Sequence, residues 1–179
     1  MRAIGYHGTS VASAERILAE GFEISRNEYD WLGDGAYFFQ DAPARAAEWA
    51  RQRFGADAAV LGAEIDLDGC LDLMDVRWQR VIANAYDSFV EEAGRRPYSL
   101  PVQSRGAHRL DRVVINFAAE ALLTTGVLVR SVRSAFEEGW PIFPGSALRD
   151  RSHVQIAVRD LSAVSRTWLH SEGVDDARS

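Results

Sequence analysis

Several residue types are scarce in this chain. Lysine is absent, so all 20 basic residues are arginines, and cysteine occurs once, as Cys70. A single cysteine excludes an intramolecular disulfide and a thiolate metal cage, and it is typical of a reducing compartment. No apolar run approaches the roughly 18 residues that span a bilayer, and residues 1–7 lack the apolar segment of a secretion signal. We therefore expect a cytoplasmic protein with no membrane contact.

The composition is that of a globular protein with an acidic surface. Hydrophobic residues make up 47% and charged residues 26%, which is enough apolar material for a core. The net charge of −6 disfavours a general attraction to nucleic acid, although a few converging arginines suit phosphate. At 179 residues the chain has the length of one domain. We assign this domain to residues 1–170 and a polar, frayed tail to 171–179.

The spacing of apolar residues predicts an α+β fold. Strands and helices interleave without the regular alternation of a doubly wound sheet. The predicted helices run from Thr9 or Ser10 to Gly21, from Asp41 to Phe54, over 77–93 and over 110–123. The predicted strands cover 3–7, 36–39, 59–67, 127–132, 154–158 and 163–169. The remaining segments, including 27–35, 95–106 and 137–151, are predicted loops.

Common catalytic motifs are missing. The sequence has neither a GxxxxGK[ST] loop nor a GxGxxG loop after a strand, and neither an HExxH motif nor a Cys/His cluster. Cys70 lies between Asp68 and Asp72, which raise the pKa of its thiol and oppose a nucleophilic role. We expect no bound metal.

Two short segments contain residues that suit a ligand site. His7 ends the first strand and precedes Gly8, where a ligand can approach the backbone closely. Tyr37 and Phe39 share one face of the second strand, and Trp49 lies on the helix that follows. Two aromatic side chains from neighbouring elements can enclose a flat ring. A local hydrogen-bonding role for the histidine and an aromatic core remain open as alternatives.

A third segment interrupts an apolar strand with an amide. Gln155 shares a strand face with His153 and Ala157, while the alternating valines and isoleucine form the other face. A long amide that faces a cleft can bind a sugar hydroxyl, and one that faces solvent needs no ligand. Each of the three segments is a weak signal alone, and their order along the chain is more specific.

The order of these motifs resembles the ADP-ribosyltransferase superfamily, in its diphtheria-toxin and poly-ADP-ribose-polymerase-like branch. That branch carries a His–Tyr–Glu triad on three strands. The matching residues lie within roughly the first 55 positions and are Tyr6-His7-Gly8-Thr9, Ile17-Leu18 with Gly21-Phe22, and Gly35-Ala36-Tyr37-Phe38. The resemblance implies two packed, mostly antiparallel sheets that form a cleft for NAD⁺, with flanking helices.

The resemblance also assigns roles to individual residues. His7 would bind a ribose hydroxyl of NAD⁺, and the backbone of Gly8 would bind the nicotinamide carboxamide, with Thr9 beside them. Tyr37 would stack on the nicotinamide, and Trp49 would cover its other side. NAD⁺ is a substrate in this reading, and no metal is required.

The third triad position departs from the family pattern. Gln155 stands where the branch usually has glutamate, so His7, Tyr37 and Gln155 would form the catalytic set. A neutral amide keeps a hydrogen bond but loses a charge that stabilises the oxocarbenium-like transition state. This loss argues against polymer synthesis and favours transfer of a single ADP-ribose. The carboxylates that we consider as substitutes are those of Glu64, Glu137 and Glu138.

The loop before the third motif implies a macromolecular acceptor. In this superfamily the corresponding loop recognises the acceptor, and here it contains Trp140 and Phe143. A hydrophobic plug within a long loop is the alternative. The acceptor is a protein or a nucleic acid, and Arg105, Arg109 and Arg112 offer a local basic patch for the latter. Such an enzyme suits the toxin of a toxin–antitoxin or phage-defence system, with an antitoxin as partner.

Other functions share these residues. An NAD⁺ glycohydrolase would use the same cleft with water as the acceptor. An inactive module that binds NAD⁺ or ADP-ribose is compatible with Gln155. The RNA 2′-phosphotransferases also carry a His-Gly-Thr element, but a second histidine of their kind has no convincing counterpart here, and the net charge opposes this function.

Overall fold

The α+β class is confirmed by a computed structural model, which describes residues 1–95 and 108–171. The predicted loop over 95–106, Arg105 and the tail lie outside the described residues, apart from Arg95 and Ser171. The described helices are α1 (Val11–Glu20), α2 (Pro43–Phe54), α3 (Val76–Gly94) and α4 (Arg109–Thr124). The described strands are β1 (Arg2–Ser10), β2 (Ala36–Gln40), β3 (Ala58–Asp66), β4 (Cys70–Asp72), β5 (Ser131–Phe136), β6 (His153–Val158) and β7 (Val164–Leu169).

The described strands form one mixed sheet in the order β4-β5-β6-β2-β1-β3-β7. Among the strands that the structure describes, only the short β4 pairs in parallel, with β5, and the other neighbours are antiparallel. Two separate packed sheets, which the sequence led us to expect, are not confirmed, because hydrogen-bonded pairs connect all seven strands.

The sheet is weakly joined at its centre. β1 pairs with β3 along its whole length, but with β2 only at Gly5–Gln40 and Tyr6–Phe39. The carbonyl of Ile4 accepts a 2.9 Å hydrogen bond from the backbone N–H of Asp41, on the β2 side. Backbone groups alternate in direction along a strand, so those of Tyr6 and Gly8 also point toward β2. Because β1 and β2 diverge after Tyr6, a cleft opens there.

Two helices flank the N-terminal motif. Ser10 caps α1 by accepting a hydrogen bond from the Ser13 N–H, and Gly21 ends the helix with a positive φ of 93°. The expected cap of α2 by Asp41 is wrong, since Ala42 occupies the cap position and makes no side-chain cap bond. The physical reason is that the backbone of Asp41 is still bonded to β1.

Both faces of the sheet are covered by apolar residues. One core surrounds Phe38, Ile65 and Ile156, each at most 1% exposed. On the opposite face, residues of α4 such as Ile115 pack over Val132 of β5. This double coverage makes the central strands rigid supports for the cleft that opens between them.

The chain departs from the predicted elements near β5. The strand predicted at 127–132 begins four residues later, because Val127 is part of the turn that ends α4 and its N–H bonds the carbonyl of Leu122. The three-residue β4 was not predicted. In the described part of the chain, no helix combines the length and apolarity needed to cross a membrane.

Candidate functional site

The main candidate site is the cleft where β1 and β2 separate. Its volume is about 440 Å³, within the range of small-molecule sites. Of the predicted site residues, five line it: His7, Gly8, Tyr37, Trp49 and Gln155. These residues come from β1, β2, α2 and β6, so the fold brings together positions that are up to 148 residues apart in sequence.

The imidazole of His7 bridges the two diverging strands. Its Nδ1 lies 2.8 Å from the carbonyl oxygen of Tyr37. A carbonyl can only accept, so Nδ1 carries the hydrogen, and burial lowers the pKa of His7 so that the neutral ring is favoured. Nε2 is then a hydrogen-bond acceptor. The rings of Phe22 and Phe38 contact the imidazole and fix its position.

Gly8 has two functions at the edge of the cleft. A Cβ at this position would lie 2.5 Å from the carbonyl oxygen of Ala46 and 3.2 Å from the Trp49 ring, so only glycine lets α2 pack this closely. Its backbone N–H and C=O point into the gap left by β2, as the alternation from Ile4 requires. A ligand amide can therefore pair with this backbone as a further strand would.

Tyr37 offers its ring rather than its hydroxyl. The hydroxyl donates to the Gly33 carbonyl at 2.7 Å and accepts from the Leu32 N–H at 2.8 Å. Burial raises the pKa of the Tyr37 phenol, so it stays protonated at neutral pH. With its polar end satisfied by the preceding loop, Tyr37 can act on a ligand through its flat face.

Helix α4 holds that loop in place. The Asn116 side chain accepts from the Asp34 N–H at 3.0 Å and donates to the Asp34 carboxylate at 3.0 Å. Arg112 donates to the same carboxylate at 2.6 Å, and Arg159 donates to the Asn116 amide oxygen at 2.6 Å. This half-buried polar network explains why the loop that carries the Tyr37 contacts has a defined conformation.

One face of α2 forms a wall of the cleft. Arg45, Trp49 and Arg53 are spaced four residues apart and therefore lie along the same side of the helix. The Arg45 side chain is only 13% exposed and binds the carboxylates of Glu48 and Glu138 at 3.3 and 2.7 Å. We predicted Trp49 from the sequence but not the two arginines, although the same helical spacing could have identified them.

The Gln155 amide is oriented by its neighbour on β6. Nδ1 of His153 lies 2.6 Å from the Arg151 carbonyl, so it donates, and burial lowers the pKa of His153. Nε2 of the neutral ring therefore accepts from the Gln155 Nε2, 2.9 Å away. The amide oxygen of Gln155 remains for a ligand. The rings of Phe39 and Phe136 flank His153 and hold this arrangement.

The three candidate carboxylates have different positions. Glu138 lines the cleft, next to Arg45. Glu137 is exposed and is not part of the cleft wall. Glu64 is paired with Arg2 and Arg166 on the other half of the sheet and does not line the cleft. Glu138 is therefore the one of the three that could act on a ligand.

The predicted acceptor residues lie outside the cleft. The segment from Glu138 to Arg151 forms an irregular hairpin, with backbone bonds between Ile142 and Leu148 and between Trp140 and Asp150. The side chains of Trp140 and Phe143 are 78% and 58% exposed. Neither is a plug in a core, so that alternative is wrong for the described structure.

Thr9 and Asp30 also differ from expectation. Thr9 is buried and lines a small neighbouring pocket that shares His7 with the cleft. Asp30 was not singled out, yet it is buried at the cleft wall, where its carboxylate accepts from Ser25 and from the Asn27 N–H. Burial raises the pKa of Asp30, and these two bonds oppose that rise. In the sequence, an acidic residue within a turn gives no indication that its side chain is buried at a site.

The chain was compared with known proteins. No family model, no curated protein and no solved structure matches it. Within residues 1–95 and 108–171, no group of three or more metal-binding side chains comes together.

Proposed function

We propose that this protein is an NAD⁺-dependent mono-ADP-ribosyltransferase with an ADP-ribosyltransferase-like fold. One observation carries the proposal: the Nε2 of His7, the free backbone of Gly8 and the ring of Tyr37 line one cleft at the split of the sheet. These are the groups that the sequence resemblance assigns to the ribose and the nicotinamide. The split between β1 and β2 supports a division of the strands into the two layers expected of that fold.

The binding contacts follow from the free hydrogen-bonding groups. Nε2 of His7 accepts a ribose hydroxyl, because Nδ1 already donates to the protein. The backbone of Gly8 pairs with the carboxamide, which has both a donor and an acceptor. The ring of Tyr37 stacks on the nicotinamide, and Trp49 closes the site from α2. Together these contacts hold the leaving group in a fixed orientation.

The proposed reaction replaces nicotinamide with an acceptor. The bond between the ribose C1′ and the nicotinamide nitrogen breaks, and its electron pair leaves with neutral nicotinamide. The ribose becomes an oxocarbenium ion. A nucleophilic atom of the acceptor then forms a bond to C1′ and releases its proton to water. Negative charge or a negative dipole near C1′ lowers the barrier.

We assign to Gln155 and Glu138 together the two roles that one glutamate has in the superfamily that the sequence resembles. We assign the hydrogen bond with the ribose 2′-hydroxyl to the amide oxygen of Gln155, since its amide nitrogen donates to His153. We assign the negative charge to Glu138, whose carboxylate lines the same cleft. Arg45 holds that carboxylate at 2.7 Å and weakens its field, so slow transfer is expected.

The hairpin that follows Glu138 is the proposed contact for a macromolecular acceptor. Its apolar side chains Trp140, Ile142, Phe143 and Leu148 are all exposed. Exposed apolar patches mark interaction sites, and these side chains supply the apolar groups for one. The biological role that we propose is the toxin of a toxin–antitoxin or phage-defence system, with an antitoxin protein as partner.

The proposal is tested by nicotinamide release from NAD⁺, with and without cell lysate, using NAD⁺ labelled in its adenine half. Release that requires lysate, with label on a macromolecule, supports a transferase and identifies the acceptor. Release without lysate supports an NAD⁺ glycohydrolase instead. The Tyr37→Ala and Gln155→Ala variants are run in parallel, and we expect both to lose release.

A second candidate function is an inactive module that binds NAD⁺ or ADP-ribose. Two observations favour it: the third triad position is neutral, and the carboxylate of Glu138 is paired with Arg45. NAD⁺ binding without release in either condition would support this function and overturn the transferase.

A further inference from the structure

The two arginines on the cleft face of α2 differ in their partners. Both guanidinium groups of this face, Arg45 and Arg53, line the cleft, on either side of Trp49. The donors of Arg45 bind Glu48 and Glu138. Arg53 makes no ion pair within 4.0 Å to any carboxylate of the described chain. The Arg53 guanidinium in the cleft wall is therefore available to bind an anionic ligand.

Two aromatic rings hold the Arg53 guanidinium. It lies 5.6 Å from the centroid of the Trp49 ring and 6.0 Å from that of Tyr29. Contact with a ring uses the flat face of a guanidinium and leaves the N–H donors at its edge free. Its hydrogen bond to the Tyr29 hydroxyl is long, at 3.5 Å. The two rings thus position the Arg53 guanidinium, and its N–H donors remain available to a ligand.

The carboxylates of the cleft do not cancel this charge. Glu138 binds Arg45, and Asp30 accepts from Ser25 and Asn27. Glu23 lies 4.0 Å from Arg16. Two of these acids face an arginine other than Arg53, and Asp30 is held by neutral donors, so none of the three is paired with Arg53.

We propose that Arg53 binds the diphosphate of the dinucleotide. The proposal rests on the proposed function, since it takes the ring beside Tyr37 to be nicotinamide. A dinucleotide joins that ring to a diphosphate through one ribose, and Arg53 follows Trp49 by one helical turn. The planar fork of arginine matches two phosphate oxygens. An ADP-ribose moiety would therefore extend from His7 along α2 toward Arg53.

The test compares charge-matched variants by calorimetric titration. Dissociation constants for NAD⁺, ADP-ribose and ADP are measured for the wild type, Arg53→Gln and Arg80→Gln, the last an exposed arginine on α3. We expect Arg53→Gln to weaken all three ligands about tenfold, within the range of a charge-assisted hydrogen bond. Arg80→Gln is expected to match the wild type. The dependence of log Kd on log salt should also be shallower for Arg53→Gln.

Each outcome decides between the two proposals. Equal NAD⁺ and ADP-ribose affinities and salt slopes in Arg53→Gln and the wild type overturn the phosphate contact and leave the proposed function intact. ADP binding that depends on Arg53, without NAD⁺ binding or nicotinamide release, supports the phosphate contact and overturns the proposed function. Absence of binding for all three ligands overturns both.

Discussion

Nδ1 of His7 lies 2.8 Å from the carbonyl oxygen of Tyr37, across the gap where their strands separate. This hydrogen bond fixes the tautomer of the imidazole and replaces the missing backbone pairing between β1 and β2. The two residues of the predicted site are thus joined to one another before any ligand binds. A change in either residue alters both the local structure and the proposed chemistry.

Replacement of His7 by alanine is expected to reduce nicotinamide release about a hundredfold or more, because the ribose loses an oriented hydrogen-bond partner. Release is measured with NAD⁺ at saturating concentration. The control is His170→Ala, since His170 packs against Tyr6 outside the cleft. Equal loss in both variants would indicate general destabilisation and contradict the assignment.

Replacement of Tyr37 by phenylalanine separates the hydroxyl from the ring. The change leaves the Leu32 N–H and the Gly33 carbonyl without their partner, at a cost of about 1–3 kcal/mol in the free energy of unfolding. NAD⁺ affinity should change little, because the flat face remains. Urea denaturation and NAD⁺ titration measure the two effects. A large loss of affinity with unchanged stability would instead assign the hydroxyl to the ligand.

Glu138 and Glu137 form a matched pair of neighbours. Glu138→Gln is expected to lower nicotinamide release about tenfold or more, because the cleft loses its negative charge near C1′. Glu137→Gln should behave as the wild type, since Glu137 is exposed away from the cleft. Initial rates at several NAD⁺ concentrations separate turnover from binding. Wild-type rates in Glu138→Gln would remove this carboxylate from the mechanism.

Stability should fall as the pH is lowered from about 7 to 5.5. Burial lowers the native pKa values of His7 and His153 below the ordinary value of about 6.5. In this pH range these two imidazoles bind more protons in the unfolded chain than in the native chain, so their contribution to the free energy of unfolding decreases with falling pH. Urea denaturation at each pH measures the trend. His7→Ala should show a smaller decrease, and an unchanged slope would contradict the assignment to His7.

Gly8 should tolerate no side chain. In Gly8→Ala the new Cβ would meet the Ala46 carbonyl oxygen at 2.5 Å, which we expect to cost about 1–3 kcal/mol of stability. Gly94→Ala is the control, because a Cβ there meets no atom of the described residues within 4 Å. Its stability should stay within about 1 kcal/mol of the wild type. Chemical denaturation compares the two variants.

Local signals predicted the elements that carry the N-terminal motifs. The ends of α1 follow from Ser10 and Gly21, and those of β2 and α2 lie within two residues of expectation. β4 could not be predicted in this way, because three residues at a sheet edge have no periodicity and depend on pairing with β5. The start of β5 was misplaced because apolar residues after α4 resemble a strand.

The candidate site was predicted in part. His7, Tyr37 and Gln155 were identified from residue types in order, and all three line the cleft. The orientation of the Gln155 amide depends on the His153 tautomer, which is set by the carbonyl of Arg151, two residues earlier in the chain. Arg45 pairs with Glu48, three residues later on the same helix, and with Glu138, which only folding brings near. The first pairing follows from helical spacing, whereas the second leaves no pattern in the sequence.

The pairing of β2 with β6 also constrains how the chain is made. Phe39 lies opposite Gln155, so the N-terminal wall of the cleft gains its partner strand only when that part of the chain has been synthesised. β3 likewise gains its second neighbouring strand only when β7 has been synthesised. When only residues 1–150 have been synthesised, His7 and Tyr37 are present but β6, which supports the site, is not. Assembly of the cleft therefore follows the synthesis of β6.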